Sequence, residues 1–444
     1  MSGRTPKRVH IAQIDKNSPD NAQVNKAGTG PLIGQGFFFN LYSSRVVKAT
    51  VATVAAAVVF IWKEQQKLTA SDAAPNDLFG STLSMYGNTA IVGARSNDDA
   101  GNSSGSAYIF TYNGTNWTEQ AKLTASDAAG GDQFGYSVSI YDNTAIVGAY
   151  RDNGAGSDSG SAYIFTYDGI NWTEQANLTA DDAAAYDNFG YSVSIHGNSA
   201  IIGALYDDTA GGIDSGSAYV FTTTGVDWTQ QQKLIADDAA AEDLFGLGVS
   251  IYGDSAIIGA PFNGAGGSAY VFTRSGTTWT QQAKLTADDA AASDNFGWSV
   301  SIYGNTAIVG SPLDDDAGNG SGSAYVFTRS GTNWTQQAKL TASDAAGGDK
   351  FGYSVSIYGD SAIVGVRYDD DAGSDSGSAY VYTTTDNWAS TTEKKLIASD
   401  AYGGDQFGYS VSIYGDSAIV GAVYSDKDAT TNTGAAYVFN YTSQ

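Results

Sequence analysis

The 444-residue sequence has no cysteine, two histidines, two methionines and six prolines. Without cysteine there is no disulfide framework, no thiolate zinc site and no thiol nucleophile. With only His10 and His196, neither a three-histidine metal site, an HExxH zinc site nor a repeated His-based triad can be assembled. Positive charge is scarce beyond the N-terminal region. Residues 64–444 carry fourteen Lys/Arg against forty-five Asp/Glu, residues 1–63 carry eight against two, and the whole chain is at −25. An acidic body of this kind is repelled by phosphate backbones and anionic membrane surfaces, which disfavours non-specific nucleic-acid binding. Long apolar runs are also lacking: Ala49–Trp62, ATVATVAAAVVFIW, is uncharged over 14 residues, short for a membrane span. What is abundant is glycine (54), tyrosine (28), phenylalanine (18) and tryptophan (8), within a 42% hydrophobic composition that supplies a large core.

These residues recur in register. Phe-Gly begins at Phe79, Phe134, Phe189, Phe245, Phe296, Phe351 and Phe407, at steps of 55, 55, 56, 51, 55 and 56 residues. From Phe296 one unit reads FGWSVSIYGN, TAIVGS, PLDDDAGNGSG, SAYVFTRSGTN, WTQQAKLTA and SDAAGGDK. The β-branched and aromatic segments predict four short strands, and the Gly/Asn/Asp/Ser clusters between them are turn chemistry. Tyr-Gly-Asn and Tyr-Gly-Asp predict tight hairpins, because Gly and Asn accept positive φ. Seven four-stranded units predict an all-β, seven-bladed β-propeller. The last unit lacks its own W-x-x-x-x-x-L strand, and Trp62 to Leu68 has that spacing ahead of the first Phe-Gly. The N-terminal strand is therefore expected to close the ring, removing an exposed edge. In the sixth copy, Trp388 to Leu396 carries two extra residues.

The units FGYSVSIYGDSAIVGA and GSAYVF, with a full Gly259-Ala260-Pro261, resemble the FG-GAP repeat of integrin α-subunit propellers and of many bacterial surface and secreted proteins. The resemblance covers residues 62–444. It implies a recognition propeller rather than an enzyme. In the integrin relatives a DxDxDG calcium loop joins the first two strands of some blades. Here that connection is only YGN, YGD, YDN or HGN, so those sites do not carry over.

Four-stranded blades place the blade-to-blade loops and the second-to-third-strand loops on one face, and these loops hold 34 of the 47 acidic residues. Such a face steers cations and basic partners. The densest candidates for ligand or Ca²⁺ binding are Asp314, Asp315 and Asp316 in the fifth unit and Asp369, Asp370, Asp371 and Asp375 in the sixth. Their carboxylates suit Ca²⁺, but DDDAG lacks the spacing and terminal Glu of an EF-hand. The competing reading is solvated turns and Asx caps. In the fourth unit the loop PFNGAGG has no acid and puts Phe262 as an apolar notch in the rim. The repeated Phe-Gly and Trp positions read as packing, and His196, standing where most units have Tyr, as a tolerated substitution.

Residues 1–45 read as a basic flexible tail and 46–61 as either a signal anchor or an apolar strand or helix packed on the disc. An anchor would hold the tail in the cytoplasm and send the propeller outside. The functional expectation is a non-enzymatic surface or secreted propeller that binds a protein or glycan through the acidic loop face, with or without a cation. The rival readings are a structural assembly or spacer subunit and a polysaccharide-acting enzyme with two carboxylates at the channel mouth.

Overall fold

The computed structural model describes residues 60–426 and 431–443. The tail and all but the last two residues of the apolar segment lie outside the described residues. What is described is all-β: seven four-stranded antiparallel sheets arranged as the blades of a β-propeller. In the first blade the strands are Phe79–Tyr86, Thr89–Ala94, Ser106–Tyr112 and Trp117–Leu123, paired in chain order. The first strand lines the axis and the fourth is outermost. The first two are joined by the two-residue turn Gly87-Asn88, with Gly87 at φ 58°.

The sequence pattern explains the packing. Segments such as TAIVGA and SAYIF are buried at nearly every position, because both faces of each sheet meet a neighbouring blade. The apolar side chains accordingly form seven cores, one in each gap between blades. In the first gap Ile91, Ile109 and Leu123 meet Phe134, Val138, Ile140 and Val147. The Phe of each Phe-Gly is completely buried in such a gap, edge-on or tilted against the Tyr of its own third strand. Burial of this size contributes about 2 kcal/mol per ring.

The glycines let the backbones touch. Phe134 N–H donates to Ser104 O of the preceding blade at 2.9 Å. A Cβ placed on Gly93 would stand 2.1 Å from Gly135 O, and one on Gly135 would stand 2.3 Å from Ser106 O. The same bridge between a glycine and the next Phe occurs seven times, the last joining Gly434 to Phe79. Around the axis a serine of each innermost strand accepts the N–H of the following blade, from Ile140 N–H to Ser84 Oγ round to Met85 N–H to Ser412 Oγ.

The seventh blade takes its inner three strands from Phe407–Tyr414, Ser417–Ala422 and Ala435–Ser443 and its outermost from Phe60–Leu68. The pairing runs from Phe60 opposite Ser443 to Leu68 opposite Ala436. That strand begins two residues before Trp62. Most outer strands carry a bulge that turns one glutamine toward the next blade's Trp. Trp117, Trp172, Trp279 and Trp334 each donate Nε1–H to such a glutamine, which accounts for the repeated Trp as edge packing. In the sixth blade the extra residues shorten the outer strand to Thr392–Leu396. Trp388 folds inward instead, with its N–H 2.9 Å from Thr384 Oγ1.

Candidate functional site

The loop face is ordered by one motif repeated around its rim. The third-strand tyrosines Tyr108, Tyr163, Tyr219, Tyr270, Tyr325, Tyr380 and Tyr437 each donate O–H to an aspartate of the incoming loop: Asp72, Asp127, Asp182, Asp238, Asp289, Asp344 and Asp400. In six blades an outer-strand lysine, Lys67, Lys122, Lys233, Lys284, Lys339 or Lys395, bonds the other oxygen of that carboxylate. Asn177 takes the lysine's place in the second blade, 3.2 Å from Asp127. Burial opposes ionisation of the lysine-bound aspartates, but the lysine and tyrosine hydrogen bonds outweigh it and hold Asp72, Asp182, Asp289 and Asp400 below the usual carboxylate range.

The acidic residues singled out in the fifth and sixth units are parts of this frame. Asp314 and Asp369 are buried and accept from Tyr325 and Tyr380. Lys339 reaches Asp289, Asp314 and Asp316, and Lys395 reaches Asp344, Asp369 and Asp371. Asp315 and Asp370 cap their loops, accepting Gly320 N–H and Asp375 N–H at 2.7 Å. Asp375 sits at φ 52°, and its carbonyl accepts Gln406 N–H. Two groups, Asp289/Asp314/Asp316 and Asp344/Asp369/Asp371, bring carboxylate oxygens within 4.8 Å of one another, a spacing that suits a hard cation. In both, a lysine ammonium is bonded to all three carboxylates. The donor sets therefore do not fit a divalent ion while the lysine is in place.

A second aspartate of each incoming loop works differently. The Oδ2 atoms of Asp77, Asp132, Asp187, Asp243, Asp294, Asp349 and Asp405 accept a backbone N–H three residues upstream, with no lysine within 4.0 Å among the described residues. Burial pushes Asp187 and Asp405 up to about 6.

Phe262, on the acid-free loop, is 48% exposed. Beside it Asn263, in the place of the buried aspartate of other blades, bonds Asp243, Ser268 and Lys284. Other large side chains share this part of the face. Tyr206 follows Asp187 by a backbone bond, and Ile213 O accepts Glu242 N–H. Tyr186, 62% exposed, has φ 74°. The equivalent residues are Asn76, Gly131, Glu242, Ser293, Gly348 and Gly404, all at positive φ.

A family profile for the FG-GAP repeat matches residues 62–110, 117–165, 172–221, 228–272, 279–327, 334–382 and 390–439. The chain belongs to the FG-GAP repeat family. No curated protein sequence matches it. FG-GAP propellers commonly serve in protein binding and are generally non-enzymatic.

The two mouths of the FG-GAP ring differ. On the hairpin side Tyr86, Tyr141, His196, Tyr252, Tyr303, Tyr358 and Tyr414 form an unbroken ring, with successive centroids 4.4–4.9 Å apart. His196 fits because Nδ1 accepts Gly253 N–H at 3.2 Å, and burial lowers its pKa. On the loop side the equivalent positions vary: Ser81, Tyr136, Tyr191, Leu247, Trp298, Tyr353 and Tyr409. Arg95 and Arg367 stand over these rings. The centre of the acidic face is therefore aromatic and cationic, which face-by-face acid counting missed. The signal was present in the sequence as the residue after each I-V/I-G-x, which reads Arg, Tyr, Leu, Pro, Pro, Arg and Val through the seven copies.

Proposed function

We propose that this FG-GAP propeller is a non-enzymatic surface or secreted recognition module whose loop face binds a partner, a protein in preference to a glycan, across the third and fourth blades. The observation that carries the reading is Tyr186. A left-handed backbone costs a non-glycine residue about 1 kcal/mol, and Tyr186 occupies one with its ring largely in solvent. The fold sets a positive φ at this position in all seven blades, and Tyr186 N–H bonds Ser157 O at 2.8 Å, but the backbone asks for no large ring there: the other blades carry Asn, Gly, Glu or Ser. Tyr206, Ile213 and Phe262 are further exposed apolar side chains on the loops of the same two blades, among the rim acids, a composition that suits a protein-binding surface. The rim acids act here as a scaffold and a solubilising border, and the recognition does not depend on Ca²⁺.

The test compares the full chain with a Tyr186→Gly/Phe262→Ser variant of equal melting midpoint. Both serve as bait for surface and secreted proteins of the source cells, with retained proteins measured in EDTA and in Ca²⁺. A partner held by the parent in both buffers and lost by the variant supports the reading. Equal retention by both forms, or retention only in Ca²⁺, overturns it.

A further inference from the structure

The loop-side mouth holds two arginines that the rest of the structure does not account for. Some cationic side chains of this acidic chain are held by carboxylates, while the Arg329 guanidinium bonds Asn305 and Ser255 instead. Arg274 pairs with Asp254, and six outer-strand lysines pair with the rim aspartates. Neither Arg95 nor Arg367 has a carboxylate within 4.0 Å among the described residues.

Their placement is specific. Ser81 is the one small residue in the inner ring of this mouth, and Arg95 leans across the resulting gap. Its guanidinium carbon is 5.4 Å from the Tyr136 centroid and 5.8 Å from that of Tyr409, and one nitrogen donates to Tyr409 Oη at 3.3 Å. Arg367 lies 3.7 Å over Tyr353, 4.5 Å from the Tyr368 centroid and 5.6 Å from that of Tyr409. Both guanidinium groups thus converge on Tyr409. Two buried polar atoms here, Arg367 Nε within its own guanidinium group and Ser81 Oγ, have no hydrogen-bond partner, and Ser81 is 6% exposed. A cavity of about 260 Å³ opens here, lined by Ser81, Arg95, Tyr136, Trp298, Tyr353 and Tyr409 among others.

We propose that this mouth binds a single carboxylate carried on a ring with a flat apolar face, as in an acidic sugar or an aromatic acid. Arg95, which lines the cavity, takes the carboxylate, for which a planar guanidinium fork is suited, and Arg367, stacked on Tyr353 outside the lining, adds positive potential beside it. Trp298 and the tyrosines take the ring by stacking. The buried Ser81 hydroxyl supplies a hydrogen bond at the floor. The acidic rim repels polyanions, so the site selects one isolated negative charge rather than a nucleic acid or a sulfated chain. This site stands apart from the partner surface around Tyr186: either can exist without the other.

The experiment is calorimetric titration of the full chain with methyl glucuronide, benzoate, methyl glucoside, acetate and inorganic phosphate. Methyl glucuronide or benzoate is expected to bind at least about tenfold more tightly than methyl glucoside, acetate or phosphate, and the tighter of the two names the source of the ring. Arg95→Gln and Arg367→Gln should each weaken that binding about tenfold or more. Ser81→Tyr, which installs the ring side chain that Tyr136 supplies in the next blade, should abolish it while leaving the melting midpoint in place. No binding of either ring carboxylate, equal binding of acetate or phosphate, or undiminished binding in the Ser81→Tyr variant would overturn the proposal.

Discussion

Lys395 Nζ lies 2.8 Å from Oδ2 of Asp369, and the carboxylate is the buried member of the pair. The same lysine spans to Asp344 and Asp371. It does for this cluster what a metal ion does for an oxygen cage, with an ammonium supplied by the outermost strand of the same blade.

From this follows the response to metal. A ligand that binds only the native state must raise the melting midpoint. Because lysines fill the carboxylate groups of the fifth and sixth blades, midpoints in EDTA and in millimolar Ca²⁺ should coincide. A Ca²⁺-selective rise would show that the lysines can be displaced.

Removing the ammonium should be costly. Lys395→Met leaves Asp369 buried with its tyrosine and serine donors but no cation. Breaking a buried pair from one side costs about 3 kcal/mol. Urea denaturation should show a loss of that order, partly recovered by adding Asp369→Asn.

Stability should respond to pH through two opposed sets of aspartates. Asp187 and Asp405, pushed up to about 6 by burial against an ordinary 3.8, favour the folded state fully below pH 3.8, and that contribution is lost as pH rises through 6. The lysine-bound Asp72, Asp182, Asp289 and Asp400 have lowered values, so their contribution is present above pH 3.8 and lost as pH falls below it. Asp405→Asn keeps an acceptor for Tyr402 N–H, and should raise the melting midpoint by a few degrees at pH 7.5 but change it little at pH 4. An equal gain at both pH values would contradict the burial account.

The glycines at the blade seams should be intolerant of a methyl group. A Cβ at Gly310 would stand 2.0 Å from Gly352 O, a backbone atom that cannot swing aside. Gly310→Ala should destabilise by about 4 kcal/mol or more. Gly304→Ala, at a hairpin with open space around it, should cost only about 1 kcal/mol for its positive φ. Comparing the two by denaturation separates contact from backbone conformation.

The architecture was legible in the sequence because its physical demands recur at every blade. A Phe to fill each gap and a Gly where backbones touch were each written seven times, and a Tyr-Gly turn five times. The rim acids were legible as a set but not in their role. Lys339 and Lys395 precede their strand-ending leucines by one residue, and only the fold brings them to aspartates 50 and 51 positions earlier, Asp289 and Asp344. The mouth was hardest to read. Ser81, Arg95 and Arg367 are single departures from the repeat, and they meet only because distant blades converge on one axis.

The pairing of Phe60–Leu68 with Ala435–Ser443 ties the order of synthesis to the finished ring. Among the propeller's strands, the one synthesised first must wait, unpaired, for the one synthesised last of them; Gln65 and Asn440, bonded side chain to side chain, are 375 residues apart. Throughout translation that waiting edge could accept a strand from a neighbouring nascent chain. Folding of each blade can proceed as it appears, but the ring itself can close only after the last blade has left the tunnel.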